Sequence, residues 1–486
     1  TSVKIGKIRY SSSMRFQKDM IDVPVYISPK DFLGKRTALF GMTRTGKSNT
    51  VKKIIEATVE ISNKAKYSLD QYDGDTTSML DPFDNGVPKF PVGQIIFDIN
   101  GEYANPNMQD EGTAIYELYK DDTVRYSVLE KPGFKVMKVN FYKDINAGYE
   151  LIRSYLSVET ADYVRSFNSV DLTEPEEKTD QSAMTRYERK IAAYLCCLKK
   201  AGFKVPGGFK VKFSGNKDLN EIVQSEGKID PAKGISLDDA VSWWSTIWDN
   251  YDHKYFSDYK SKKGHEWADE DLKALLVFLT RKSKPGGNAT VNGYIKLRGI
   301  VNLHTDSAEK PFEAAILDNL RQGRIIIIDL SQGDPAIQAL YSERICTKIF
   351  HASMLRFVEN LSNNFIQFYF EEAHNLFPKK DDKDLSQIYN RLAKEGAKLN
   401  LGLAYATQEV SSISSNILKN TQNWFIAHLN NDDELKELKK FYDFEDFTES
   451  LIRFSASTDK GFVRMKTYSN PFVVPVQIDR FSVKGD

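Results

Sequence analysis

Cysteine is scarce in this chain: there are three in 486 residues, and two of them, Cys196 and Cys197, are adjacent. That set cannot build a disulfide framework, so a reducing, cytoplasmic setting is expected. Histidine is also sparse, and the six present are scattered and pair with no cysteines at zinc spacing. No apolar run approaches the ~18–20 residues needed to span a bilayer, and no signal-like segment opens the sequence. No membrane partner is therefore expected. Charge of one sign is not in excess either: 67 basic residues balance 67 acidic ones. A global positive field is excluded, and any nucleic acid has to be held by local patches. There is no internal repeat.

What is present is the composition of a globular protein, 41% hydrophobic and 28% charged, long enough for more than one domain. Its most informative stretch is Thr37–Thr50, TALFGMTRTGKSNT. An apolar run (Ala38, Leu39, Phe40) enters Gly41, then Met42, Thr43, Arg44 and Thr45, then Gly46, Lys47, Ser48 and Asn49. This is the G-x-x-x-x-G-K-S/T phosphate loop, which predicts that Gly41 to Asn49 bind the phosphates of ATP. The glycines let successive backbone N–H groups turn toward the phosphates. Lys47 adds a full positive charge, and Ser48 is placed to ligate Mg²⁺. Val51, Ile54, Ile55, Thr58 and Val59 then recur at helical spacing, so the helix aims its positive end at the same phosphates. Arg44 is an unusual occupant that either touches phosphate or faces solvent.

Around that stretch the chain alternates between strand and helix signals. Val23, Val25 and Ile27 alternate as a half-buried strand does. Ser68–Pro91 is rich in Asp, Gly and Pro and reads as an inserted loop. Gln94–Asn100 (QIIFDIN) is a buried strand ending in Asp98, with Glu102 just beyond. Phe134–Phe141 alternates and is expected to be a strand. From Tyr149 to about Arg298, dense charge, helical periodicity and a Trp243, Trp244, Trp248 cluster predict a helical insertion with the tryptophans in its core. Its basic stretches, Arg281–Asn288 and Lys260, Lys262 and Lys263, suit either phosphate contact or exposed loops. Apolar runs return at Ile325–Leu330, Phe365–Phe370, Leu401–Thr407 and Trp424–Leu429. Alternation of this kind predicts a mostly parallel sheet with helices on both faces. Pro471 and Pro475 place the last strand, near the carboxy terminus, at an edge or in an extended arm.

The second chemical signature is FYFEEAH. A phosphate-loop hydrolase needs one acid on the metal side and one to orient the attacking water. Glu371 suits the first task and Glu372 the second, while Gln408, at the tip of another strand, is placed to sense the γ-phosphate.

Taken in order, GMTRTGKSN, FDINGEY, IIIIDLSQGDP, FYFEEAHNLFP and AKEGAKLNLGLAYATQ resemble the HerA-like ATPases of the HerA/FtsK superfamily. The resemblance implies an α/β fold: a mostly parallel, RecA-like sheet of the additional-strand, catalytic-glutamate type, carrying an inserted helical bundle. It implies the end of an N-terminal β-barrel at 1–33, ATPase core at 34–148 and 311–460, a helical domain at 149–310, and a C-terminal β-arm at 461–486. Most of that barrel would lie upstream. The implied cofactors are ATP and Mg²⁺, the metal being held by Ser48, Glu371 and Glu102, with Asp98, Glu371, Glu372 and Gln408 catalytic. The implied assembly is a homohexamer with ATP sites between subunits. It would translocate or remodel double-stranded DNA beside an effector, a nuclease or a sirtuin-like NAD-cleaving protein, in phage defence or DNA repair.

One departure stands out. The family's E-G-R-K stretch is here Glu395-Gly396-Ala397-Lys398, with alanine at the place of the arginine finger. Such a finger is worth ~10³–10⁵ in rate. Arg391, Lys394 or Lys398 are the candidate substitutes, though a lysine offers a point charge where arginine offers a fork. Weak ATPase without partner or DNA is the expectation. Beside the motor reading stands a second, a nucleotide-gated hexameric scaffold that activates an effector without obligatory translocation. A secretion or conjugation coupling ATPase is a third.

Overall fold

In the computed structural model, described for residues 2–10, 21–72, 81–106, 114–223, 229–306, 310–333, 335–381, 384, 386–429, 431–441 and 460–482, the apolar runs are strands. They are β1 (Val3–Ile8), β2 (Pro24–Ile27), β3 (Arg36–Phe40), β4 (Phe83–Asp84), β5 (Val87–Pro88), β6 (Gly93–Asp98) and β7 (Thr123–Ser127). There follow β8 (Lys135–Val136), β9 (Ile325–Asp329), β10 (Ile366–Phe370), β11 (Leu401–Thr407), β12 (Asn423–Ile426), β13 (Phe462–Lys466) and β14 (Val474–Ile478). Twelve of them form one sheet in the order β2-β1-β14-β13-β12-β3-β11-β10-β6-β9-β7-β8, while β4 and β5 pair only with each other.

From β12 to β8 every neighbouring pair is parallel. Parallel strands are covered by crossover helices on both faces and need apolar side chains throughout. Thr37 to Phe40 are accordingly at most 1% exposed, and Ile325 to Ile328 at most 2%. Burying each isoleucine stabilises the sheet by roughly 1.5–3 kcal/mol.

The other flank is antiparallel and differs from expectation in two respects. The described N-terminal strands close no barrel; they extend the main sheet, with β1 paired to β14 and β2 to β1. Pro475 therefore sits in an internal strand. It is tolerated because the β1 register ends at Ile8 opposite Val476, and beyond it Arg9 N–H needs only the Pro475 carbonyl (3.0 Å).

The chain divides into two units, residues 1–136 with 310–486, and residues 137–309. The expected strand at 134–141 contributes only β8 to the sheet. From Met137 the chain belongs to the second unit, where Val139 bridges His304 and the Phe141 ring lies 5.0 Å from that of Phe203. That second unit is helical, built around Gln181–Ala201, Leu237–Asp249 and Glu270–Thr280. Its long central helix starts on Asp180, whose side chain accepts from Ser182 and Ala183 N–H, and stops at Gly202 with φ 105°. Trp243, Trp244 and Trp248 are at most 2% exposed, as core residues are, and Phe213 stacks on Trp244 at 4.8 Å. Lys282 and Lys260 of its basic stretches pair with Asp249 and Glu266.

Within the expected inserted loop at 68–91, residues 73–80 lie outside the described residues, as does residue 334 of the IIIIDLSQGDP motif. No helix among the described residues is long and apolar enough to cross a membrane.

Candidate functional site

The carboxyl ends of the parallel strands gather the chemistry. β3 runs into Gly41, β6 into Asp98, β10 into Glu371 and β11 into Gln408, so all four predicted motifs open at one edge of the sheet. The phosphate loop is held from beneath. Gly41 N–H donates to Thr407 O (3.3 Å) and Met42 N–H to His428 O (2.9 Å). A Cβ on Gly41 would lie 2.7 Å from the Ala427 Cβ, so only glycine lets the loop pass that strand. The Thr45 hydroxyl closes the turn on Met42 O at 2.8 Å. Gly46, at φ 98°, starts helix α1 (Lys47–Ser62), whose Val51, Ile54, Ile55 and Thr58 are buried.

Lys47 is folded back on its own loop, donating to Gly41 O (2.5 Å) and Met42 O (3.0 Å). Burial lowers its pKa, opposed by Glu372, Glu371 and Glu102. The lysine and three carboxylates thus face one cavity of about 110 Å³, lined also by Arg44, Ser48 and Asn100 among others. Thr43, Gly46 and Asn49 complete its phosphate-loop side.

On the opposite wall the two glutamates are unlike. Glu371 is buried, accepts from the Tyr103 hydroxyl (2.8 Å) and is reached by the Asn100 amide (3.4 Å). Burial, with Glu102 and Asp98 nearby, pushes its carboxyl well above the usual range. Glu372 is left-handed (φ 45°, ψ 47°), a conformation uncommon for a side-chain-bearing residue. Its Oε2 is buried and makes no hydrogen bond. His374 Nδ1 lies 3.5 Å from that oxygen but is engaged with the Thr407 hydroxyl at 2.9 Å. Strain and an orphaned carboxylate oxygen coincide on one residue at the rim of the phosphate cavity.

Other predicted site residues are placed differently. Asp98 does not line the cavity. Its Oδ1 accepts Gly101 and Glu102 N–H (2.8 and 3.0 Å), and its Oδ2 accepts Tyr103 and Ala104 N–H (2.9 and 2.7 Å). This corrects the catalytic assignment: with all four acceptor positions spent on the following loop, Asp98 positions Asn100, Glu102 and Tyr103. Gln408 lies beside the loop, accepting from the Thr43 hydroxyl at 3.1 Å. Arg391, Lys394 and Lys398 do not line this cavity. Arg391 meets Glu395 (3.4 Å) and the Phe350 ring (4.5 Å), Lys398 meets Glu395 (3.6 Å), and Lys394 and Ala397 are exposed.

Asn100, Tyr103 and Lys460 are site residues that sequence reasoning missed. Asn100 and Tyr103 stand inside the quoted FDINGEY motif, where their neighbourhood to acids was a usable signal. Lys460 has no local signal; it reaches the cavity from the far end of the chain.

A phosphate loop at the carboxyl edge of a parallel sheet, with one strand (β11) between it and a strand ending in paired glutamates, defines a P-loop ATPase. Residues 3–69 match the family model described as Helicase HerA, central domain. No curated protein matches the chain. Among solved structures, VirB4 of Thermoanaerobacter pseudethanolicus is 13% identical, with 99% of this chain and 96% of that one covered and a TM-score of 0.40. The bacterial conjugative coupling protein TrwBΔN70 is 12% identical, covering 100% and 97%, at TM-score 0.41. The genome packaging NTPase B204 of Sulfolobus turreted icosahedral virus 2, in complex with AMP, is 13% identical over 34% of this chain and 71% of that one, at TM-score 0.25. At such scores these likenesses carry none of the functional reading.

Proposed function

We propose that this chain is an ATP-hydrolysing motor of the HerA type that acts as a homohexamer on double-stranded DNA beside an effector, a nuclease or NAD-cleaving protein, in phage defence or DNA repair. The observation that carries hydrolysis is Glu372: a half-buried side chain on a left-handed backbone, whose Oε2 makes no hydrogen bond, lining the phosphate cavity with Lys47 and Ser48. In that role Glu372 orients water and takes its proton. Lys47 exchanges two loop carbonyls for phosphate oxygens. Ser48 and Glu371, with Glu102 alongside, offer the hard oxygen donors that suit Mg²⁺. A Mg²⁺ ion held by those residues beside the triphosphate would supply charge neutralisation. Gln408, tied to Thr43 of the loop, is the residue through which phosphate occupancy reaches β11.

A second reading, the nucleotide-gated scaffold, is favoured by one feature. The finger position is Ala397, and Arg391 is already engaged by Glu395 and Phe350. Salt separates the two. A motor that neutralises several DNA phosphates releases counterions, so its duplex affinity falls roughly 10³-fold or more between ~50 and ~200 mM salt. Fluorescence anisotropy with a labelled duplex and a non-hydrolysable ATP analogue measures this. A steep log–log slope supports the motor; binding that is weak and flat with salt overturns it in favour of the scaffold.

A further inference from the structure

The phosphate loop is held on both sides of Arg44. Before it, the Thr43 hydroxyl donates to Gln408 Oε1 at 3.1 Å. After it, the Thr45 hydroxyl closes on Met42 O at 2.8 Å, and Gly461 N–H donates to Thr45 O at 2.9 Å. The carboxy-terminal hairpin of β13 and β14 is fastened to the following turn through Asn49. Its side chain donates to Asp479 O (3.0 Å) and accepts Phe481 N–H (2.8 Å).

Between these fixed points Arg44 stands in the left-handed region, at φ 67°. Glycine adopts that conformation freely, whereas arginine does so at a steric cost. Six non-glycine positions among the described residues have positive φ, and the two that line the phosphate cavity are Arg44 and Glu372. Such outliers gather where geometry serves a site. The Arg44 side chain is exposed, and among the described residues it makes no hydrogen bond, ion pair or ring contact. Lys47, Arg44 and Lys460 are the cations of that cavity, and Arg44 is the one guanidinium among them. An unengaged fork of donors is thus presented where a triphosphate would add negative charge to Glu102, Glu371 and Glu372.

We propose that Arg44 is a further catalytic residue of this site. Its guanidinium binds the γ-phosphoryl oxygens of ATP held by its own chain and neutralises the charge that shifts there during hydrolysis. In that step a water oxygen bonds to the γ-phosphorus as the bond to the β-phosphate oxygen breaks. The electron pair of the broken bond leaves with ADP, and the water proton passes to Glu372. Arg44 gives up no proton. Its planar fork meets two phosphoryl oxygens at once, which a lysine does not. The proposal rests on the hydrolytic reading of the cavity, and the test separates the two.

Single-turnover hydrolysis at saturating ATP, and affinity for a non-hydrolysable analogue, are measured on the full chain. The variants are Arg44→Gly, Arg44→Lys, Lys47→Ala and Glu372→Gln. Glycine is at ease at φ 67°, so Arg44→Gly is expected to keep the wild-type melting temperature, and a lost rate is then not misfolding. Its rate is expected to fall about 10²-fold or more while analogue affinity changes less than about threefold. Arg44→Lys is expected to recover little of the rate. A wild-type rate in Arg44→Gly, or analogue affinity lost as far as the rate, overturns the assignment. So does turnover recovered on mixing Arg44→Gly with Lys47→Ala, because the guanidinium would then be lent by another chain. Wild-type rates in Lys47→Ala and Glu372→Gln overturn the hydrolytic reading instead. Loss in those two beside an unaffected Arg44→Gly overturns the role of Arg44 alone.

Discussion

Glu372 occupies a left-handed conformation that costs on the order of 1–3 kcal/mol for a residue with a side chain. Its neighbours hold it there: His374 is tied to Thr407, and Glu371 is clamped by Tyr103. Asp98 works in the same region by other means. Four backbone N–H groups surround its carboxylate, yet burial outweighs them and the pKa rises to about 6 from 3.8. The sign follows directly. Between about pH 4 and 6 the folded chain keeps a proton that the unfolded chain has released. Asp98 ionisation therefore costs the fold stability as pH rises through that window. Asp98→Asn removes the titration and leaves two of the four N–H groups without an acceptor, at roughly 1–3 kcal/mol each. In urea unfolding, the stability gap between wild type and Asp98→Asn is expected to be wider near pH 4 than near pH 7. A gap that widens toward neutral pH contradicts this account. In the sequence Asp98 looked catalytic because an acid at a strand's carboxyl end is spelled the same whether it faces a ligand or its own loop.

At the scale of elements, the strands were legible wherever both faces are buried. Leu401–Thr407 and Ile325–Leu330 read as strands because nothing polar interrupts them, and parallel pairing tolerates little that is polar. Pro475 misled for a specific reason: a missing N–H excludes a strand interior only where the partner needs that donor, and Arg9 needs the carbonyl. The hairpin's seat on the phosphate loop was illegible. Asn49 and Asp479 are 430 residues apart, and no local pattern encodes a contact so distant. Asn49→Ala removes both side-chain bonds that fasten the hairpin, an expected loss of about 1–2 kcal/mol. Hydrogen exchange over residues 460–482 is expected to speed up in that variant while exchange in β3 and β10 stays unchanged. Unaltered protection of the hairpin would show that Asn49 does not hold it.

For the whole molecule, zero net charge sets the terms. In the proposed motor, a chain without net charge would have to grip DNA through local groups, and Lys260 and Lys282 are already engaged by Glu266 and Asp249. The phosphate loop and the glutamate pair were legible because their residue types and order are dictated by phosphate chemistry. The hexameric assembly is an expectation from resemblance alone, because a ring interface follows no such code. Arg391, Lys394 and Lys398 do not line this chain's own cavity, where Arg44 and Lys460 are the cations beside Lys47; in the motor reading the finger's charge comes from one of those two, of which Arg44 is the one proposed, or from a neighbouring subunit. The measurement that bears most directly on the central claim is steady-state ATP turnover, with and without duplex DNA, by wild type, Lys47→Ala and Glu372→Gln. The account predicts slow turnover raised by DNA in the wild type and lost about 10²-fold or more in both variants, with Glu372→Gln alone still binding ATP. Turnover in Glu372→Gln equal to wild type would contradict it.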